Sequence, residues 1–248
     1  MRSQADVAVV HTLAAAGLKD IEISRRTGVP RRTIADWRRG KWPGAAGSRP
    51  CSYLEHLPLP SSYAYLLGMY LGDGCLSATG RAGVWRLRIF GDSGYRGIIE
   101  ECAAAMEAIF PRQRAHRLLR TRSRCVEVSM YSKHWVCLFP QHGPGRKHLR
   151  RIELAPWQLQ AVEQARKLFL RGLIDTDGCR IIARERQAGR VREAPRYIFS
   201  NRSEDIKALF CESCDALGVR WTRPSDKDIA IYRLESVARL DRFVGPKT

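Results

Sequence analysis

Hydrophobic positions recur along this chain with two different periods. Val7, Val10, Leu13 and Ala14 repeat at helical spacing until Gly17 interrupts them. Ile21 and Ile23 open a second helical set, which stops at the tight-turn sequence Thr27-Gly28-Val29. Pro30 suits the start of a third helix, on which Ile34 and Trp37 face inward. After a stretch rich in Pro, Gly and Ser, "KWPGAAGSRP" to "HLPLPSS", the pattern changes. Apolar runs such as "YLLGMYLG" and "FLRGLI" predict buried helices, and alternating runs such as "VWRLRIFG", "CVEVSMY" and "DIAIYRL" predict strands buried on one face. The segments "YRGIIEECAAAMEAIF" and "SEDIKALFCESCDALGV" predict amphipathic helices. The domain organisation expected is therefore residues 1–42 as a small all-α module, 43–60 as a linker, and 61–248 as the main body.

The main body repeats itself. "YLLGMYLGDGCL" (65–76) and "FLRGLIDTDGCR" (169–180) align on their terminal Asp-Gly, pairing Gly68 with Gly172, Asp73 with Asp177 and Cys75 with Cys179. Beyond each lies a strand ending in Ile-Phe (Ile89-Phe90 and Ile198-Phe199), a polar turn and an amphipathic helix. Basic stretches, a further alternating strand, a short helical run and "GPGRK" or "GPK" complete each copy. Each half reads αββαββα, at 61–155 and 156–248. The fold class expected is α+β, duplicated about a pseudo-twofold axis, a symmetry that suits a duplex substrate.

Charge narrows the partner. Lys and Arg number 43 against 25 acidic residues, a formal net charge of +18. Such an excess favours a polyanion, most simply nucleic acid. No apolar run reaches the length of a membrane span, and no basic amphipathic segment stands apart. Asp6 and His11 interrupt the one stretch that resembles a secretory leader. Eight cysteines without a leader point to reduced thiols and a cytoplasmic chain, associated with the nucleoid through DNA. "CESC" has half the spacing of a zinc site, yet no second pair follows, and its helical period puts Cys211 and Cys214 on the core face.

Two helices across a glycine-bearing turn, the second carrying "RRTIADWRRG", resemble a helix-turn-helix. That resemblance places Arg31, Arg32, Thr33 and Asp36 at base edges in the major groove, with Arg38 and Arg39 at phosphates.

The repeated nonapeptides "LLGMYLGDG" (66–74) and "LRGLIDTDG" (170–178) resemble the two motifs of a single-chain LAGLIDADG homing endonuclease, and the similarity in element order spans about residues 61–248. The resemblance implies two motif helices packed at the centre, with Gly68 and Gly172 allowing close approach and Gly72 and Thr176 keeping the contact small. It implies antiparallel sheets forming a saddle over double-stranded DNA, with Arg86, Arg88 and Arg196 among the contacts. It implies Mg²⁺, two or three ions shared between Asp73 and Asp177, because two anions at helix C-termini are unfavourable unless cations relieve them. Lys147 and Lys247 match the family's catalytic lysines by position, Asp92 and Asn201 its water-ordering side chains, and Arg180 lies beside one site only. The activity implied is site-specific cleavage of both DNA strands by a monomer.

The halves differ at one motif position, Asp175 in the second and Leu71 in the first, and Asp175 is read as structural. No self-splicing residues flank the chain, so it reads as a free-standing protein. A DNA-binding regulator without nuclease activity and an intron-RNA maturase are the alternatives on the same fold.

Overall fold

The computed structural model describes residues 4–38, 53–54, 58–121, 123–143, 145–187, 190–245 and 247. It divides into two units, Met1–Glu55 and His56–Thr248. Arg39 and most of 43–60 lie outside the described residues.

The first unit has three helices, α1 (Gln4–Ala15), α2 (Asp20–Thr27) and α3 (Arg31–Arg38). Val10, Ile23, Val29, Ile34 and Trp37 form its core, with Leu13, Ala14 and Leu18 packed against them. Ile21, expected with Ile23, is instead 39% exposed. Gly28 ends α2 at φ 65° and donates its N–H to the Ser24 carbonyl. The Thr27 hydroxyl donates to the Ile23 carbonyl and accepts from Val29 N–H, tightening the turn into α3.

The second unit is built on α4 (Ser62–Asp73) and α8 (Arg166–Asp177), which pack along each other. Each helix passes directly into a strand: α4 into β1 (Gly74–Ala78), α8 into β5 (Gly178–Gln187). In the first half, β2 (Trp85–Asp92), α5 (Arg96–Ile109), β3 (His116–Leu119), β4 (Cys125–Ser132) and the short α6 (Trp135–Leu138) follow. The sheet order is β1-β2-β4-β3, all antiparallel. In the second half, β6 (Arg190–Ser200), α9 (Glu204–Ala216), β7 (Asp228–Ile231) and α10 (Leu234–Asp241) give the antiparallel order β5-β6-β7. The architecture is thus a mixed α+β duplication with antiparallel sheets. No described helix is long and apolar enough to cross a membrane.

The halves depart from each other in two ways. The strand expected at "VRWTRP" is reduced to a single bridge, Thr222 with Ala230. Two residues on, where the ladder needs its next donor, stands Pro224, which has no N–H. On the other side Arg220 N–H is taken by the Ser236 hydroxyl. The second difference is a helix before α8, α7 (Pro156–Gln164), which has no partner among the described residues of the first half. It is tied down by a buried polar network: Gln158 donates to the Tyr63 hydroxyl at 2.8 Å, Tyr63 to the Leu138 carbonyl at 2.6 Å, and Gln141 to Gln158 at 2.5 Å.

The pairing also corrects the alignment of the halves. Gly74 pairs with Ile89, but Gly178 pairs with Phe199. Ile89 is therefore equivalent to Phe199, one residue away from the Ile-Phe match. Burial agrees, since Leu87 and Ile89 face the helices in one sheet and Tyr197 and Phe199 in the other.

Candidate functional site

The paired helices meet without side chains between them. A Cβ on Gly68 would lie 2.5 Å from the Phe169 carbonyl oxygen and 2.8 Å from Leu173 nitrogen, and one on Gly172 would collide with the Tyr65 carbonyl. Backbone touches backbone at this crossing, so nothing larger than glycine fits. One turn later, Gly72 faces the Thr176 side chain. Thr176 turns its hydroxyl back onto the Gly172 and Leu173 carbonyls, at 3.1 and 3.0 Å, leaving no unmet polar group in the contact.

The glycine after each aspartate has its own cause. At Gly74 the chain leaves the helix for an extended strand with no connecting residue, and a Cβ there would lie 2.5 Å from Tyr70 Cα. Gly178 makes the same turn against Ile174 at 2.8 Å. Asp73 and Asp177 are thereby fixed as the last helical residues of the two central helices.

Both carboxyls sit badly as anions. Surrounding protein strips water from Asp177, the Asp73 charge repels it, and its pKa is pushed up to about 6 despite the Asn201 hydrogen bond and the two lysines. Asp73 is also raised by desolvation, against the pull of Lys147 and Lys247, although its outer edge opens to solvent. The helix C-termini add negative potential of their own.

The lysines answer that potential. Lys147, in the 3-10 turn Lys147–Leu149, donates to the carbonyls of Tyr70, Leu71 and Gly72 at 2.5, 2.9 and 2.6 Å. Lys247 donates to the Asp175 carbonyl at 2.9 Å. Each lysine thus caps the motif helix of its own half. Burial holds Lys147 down at about 8, against the attraction of Asp177 and Asp73, and lowers Lys247 also. With all three Lys147 donors committed to carbonyls, its ammonium acts on the aspartates as a nearby charge.

The side chains around the aspartates are unequal. Asn201 donates to Asp177 Oδ2 at 2.6 Å, and its own oxygen is held by Ser203 N–H at 2.7 Å. Asp92 occupies no equivalent place: it accepts from Gly94 N–H at 2.7 Å and lies 3.5 Å from Arg124, closing its own turn. By the corrected register Gly91 matches Asn201. Arg180 points to the helix side of its sheet, where it pairs with Asp241 at 2.8 and 3.0 Å, away from the aspartates. Asp175 is buried beneath the site, accepting from the Tyr65 hydroxyl at 3.0 Å with Arg171 at 3.6 Å. Its counterpart Leu71 is fully buried.

The faces of the sheets turned away from the helices carry the expected arginines. Arg86 and Arg88 alternate with buried Leu87 and Ile89, and Arg196 lies beside buried Tyr197. In the first unit Arg31, Arg32 and Arg38 are exposed, Thr33 and Asp36 half-buried, and Arg38 pairs with Asp20 at 2.6 Å. Sequence reasoning missed Glu127, Arg120 and Tyr131, which share the open face of the first sheet with Arg86. A charged residue alternating with valines in "CVEVSMY" was the available signal. Cys211 and Cys214 are free and buried, with burial pushing Cys211 up to about 11 and Cys214 higher.

No family model matches the chain, and no curated protein matches it. Among solved structures it is similar to the LAGLIDADG meganuclease I-AabMI bound to uncleaved DNA, with 10% identity over 73% of this chain and 82% of that one, at a TM-score of 0.47. It is also similar to the LAGLIDADG homing endonuclease I-SmaMI bound to cleaved DNA, with 9% identity, 74% and 83% coverage and a TM-score of 0.47. For I-SmaMI bound to an uncleaved target with calcium ions the values are 9%, 74%, 85% and 0.47.

Proposed function

We propose that this chain is a site-specific DNA endonuclease that cuts both strands with the aid of Mg²⁺, and that its first unit adds DNA affinity as a helix-turn-helix. One observation carries the reading: Asp73 and Asp177 end two central helices at which backbone meets backbone, and lost hydration raises both carboxyls, although Asp73 is the more exposed of the two. Two oxygen-donor groups held together in that state fit a hard divalent cation. Among the described residues no third His, Cys, Asp or Glu joins them, so Asp73 and Asp177 are the side chains that would hold the cation. When bound, the metal supplies charge neutralisation at the phosphoryl group and an activated water.

The chain's own residues do the rest. Asp73 and Asp177 would hold the cations, one carboxylate for each half of a pseudo-symmetric duplex. Lys147 and Lys247 fix the helix ends and place positive charge near the phosphates. Asn201 orients Asp177. Arg86, Arg88 and Arg196, with Arg31 and Arg32 on α3, supply the cationic surface that a net charge of +18 already favours. Because both halves of the site belong to one chain, the acting species is a monomer.

The test uses Asp73→Asn and Asp177→Asn on a supercoiled plasmid carrying a target selected from random duplex. Either substitution lowers double-strand cleavage by on the order of 10³-fold or more, since metal stabilisation of the transition state is worth several kcal/mol. Binding is retained, because each change removes an anion facing phosphate. Wild-type linearisation by both variants rejects the nuclease reading. Binding without cleavage by the wild-type protein in Mg²⁺ favours the regulator instead.

A further inference from the structure

Lys147 stands on a loop that has no core of its own. The loop runs from Gln141 to Glu153, and its base is closed where the buried Gln141 amide donates to the Glu153 carbonyl at 2.7 Å. Just inside that base, His142 lies edge-on to the Trp85 ring at 4.8 Å, and buried Ile152 donates its N–H to Asp205 at 2.6 Å. Between these anchors no described residue from 143 to 150 is buried, and Leu149 is 75% exposed. A segment with no apolar side chain to sink into the core keeps its shape by hydrogen bonds.

Arg150 supplies them. Its guanidinium Nη1 donates to the Gly143 carbonyl at 2.5 Å and to the Gly145 carbonyl at 3.2 Å. Its backbone N–H donates to the Lys147 carbonyl at 3.2 Å. Gly145 lies within the enclosed segment at φ 76°, a left-handed conformation suited to glycine. Arg150 thus closes a ring whose outer arc is Arg146, Lys147 and His148. From that arc Lys147 reaches the end of α4, donating to the Tyr70, Leu71 and Gly72 carbonyls with its ammonium 5.2 Å from the centre of the Tyr70 ring. An ammonium on a flexible four-carbon stem meets three carbonyls at once only if its own backbone is held still.

We propose that Arg150 is a positioning residue for Lys147: it ties the loop so that the ammonium stays on the end of the first motif helix, and its loss slows cleavage of the strand that Lys147 serves. The effect on cleavage rests on the function proposed above, whereas the placement of Lys147 is read without DNA.

Two variants of the full chain test this. Arg150→Met keeps the apolar stem and removes the donors, and Arg150→Lys keeps the charge one atom short of the Nη1 position. In the metal-free protein the ε-methylene NMR resonance of Lys147, displaced by the Tyr70 ring current, moves towards the ordinary lysine value in both variants. That of Lys247, whose ammonium lies 5.8 Å from the Tyr95 ring centre, stays in place. On plasmid with Mg²⁺ and saturating protein, Arg150→Met slows one strand on the order of 10-fold, as expected for lost hydrogen bonds. The strand left uncut in its nicked circles is the one left by Lys147→Met, and the opposite of the one left by Lys247→Met. An unmoved Lys147 resonance, equal slowing of both strands, or wild-type cleavage by Arg150→Lys overturns the proposal. If the wild-type protein cuts no DNA, the nuclease reading falls, and the resonance comparison still decides whether Arg150 places Lys147.

Discussion

Asn201 holds Asp177 through a 2.6 Å hydrogen bond, and the position equivalent to Asn201 in the other half is Gly91. The two aspartates are therefore alike in place and unlike in support. The Asn201 amide favours the ionised form of Asp177, opposing the desolvation and Asp73 repulsion that bring it to about 6. Asn201→Ala removes that opposition, so the Asp177 pKa rises and the carboxylate is lost at a higher pH as pH falls. Carboxyl-carbon NMR titration of the metal-free protein reads the change directly. On plasmid, the variant accumulates nicked circles near pH 6, because one strand loses its carboxylate before the other. An unchanged Asp177 titration rejects the role given to Asn201.

Gly68→Ala and Gly172→Ala test the central crossing. Each new methyl meets opposing backbone, which cannot rotate away, so the helices must separate. Overpacking of this kind costs about 1–3 kcal/mol or more. Gly72→Ala is no gentler: its methyl would lie 2.5 Å from Thr176 Cβ, which no change of rotamer moves. Urea denaturation should show all three variants destabilised. Wild-type stability in any of them would mean that the helices separate at that point without cost.

Much of this was legible in the sequence for a definite reason. A close helix crossing and an abrupt helix-to-strand turn both demand glycine, so Gly68 with Gly172 and Gly74 with Gly178 mark the candidate site by composition alone. The duplication then marked Asp73 and Asp177 by repetition. What stayed hidden depends on pairing. A one-residue slip of register moves Asn201 onto Gly91 and leaves Asp92 in a turn, and two Ile-Phe pairs offered the wrong match. The second-half edge strand failed at Pro224, whose missing N–H matters only once its partner strand is known. Glu127 looked like a solvated strand residue until two arginines from neighbouring strands covered it.

The first unit carries none of the site's carboxylates. A chain beginning at Pro58 should still cut its target, with weaker binding and a shallower dependence on salt, because the phosphate contacts proposed for α3 would be gone. Tethering a second module raises apparent affinity by roughly 10²-fold or more when both reach their sites. Filter binding across a salt series measures both effects. An unchanged slope would remove Arg31 and Arg32 from the interface.

Asp175 makes the last prediction, on stability. It is buried beneath the site, and desolvation pushes its pKa up to about 6 from an ordinary 3.8, against the Tyr65 hydrogen bond and the Arg171 charge. A folded-state value above the unfolded one means that the native protein binds the extra proton. Stability from this group is complete below about 3.8 and is lost as pH rises through about 6. At neutral pH the native state therefore carries the cost of an ionised buried carboxylate. That cost is on the order of 1–3 kcal/mol, since each tenfold change in proton affinity is worth about 1.4 kcal/mol. Asp175→Asn removes it while the amide oxygen still accepts from Tyr65. The variant should be more stable than wild type at pH 8, with the difference shrinking towards pH 4, as read by denaturant midpoints. Lower stability at pH 8 would show that the Arg171 contact at 3.6 Å outweighs desolvation, and that the ion pair holds the helices together.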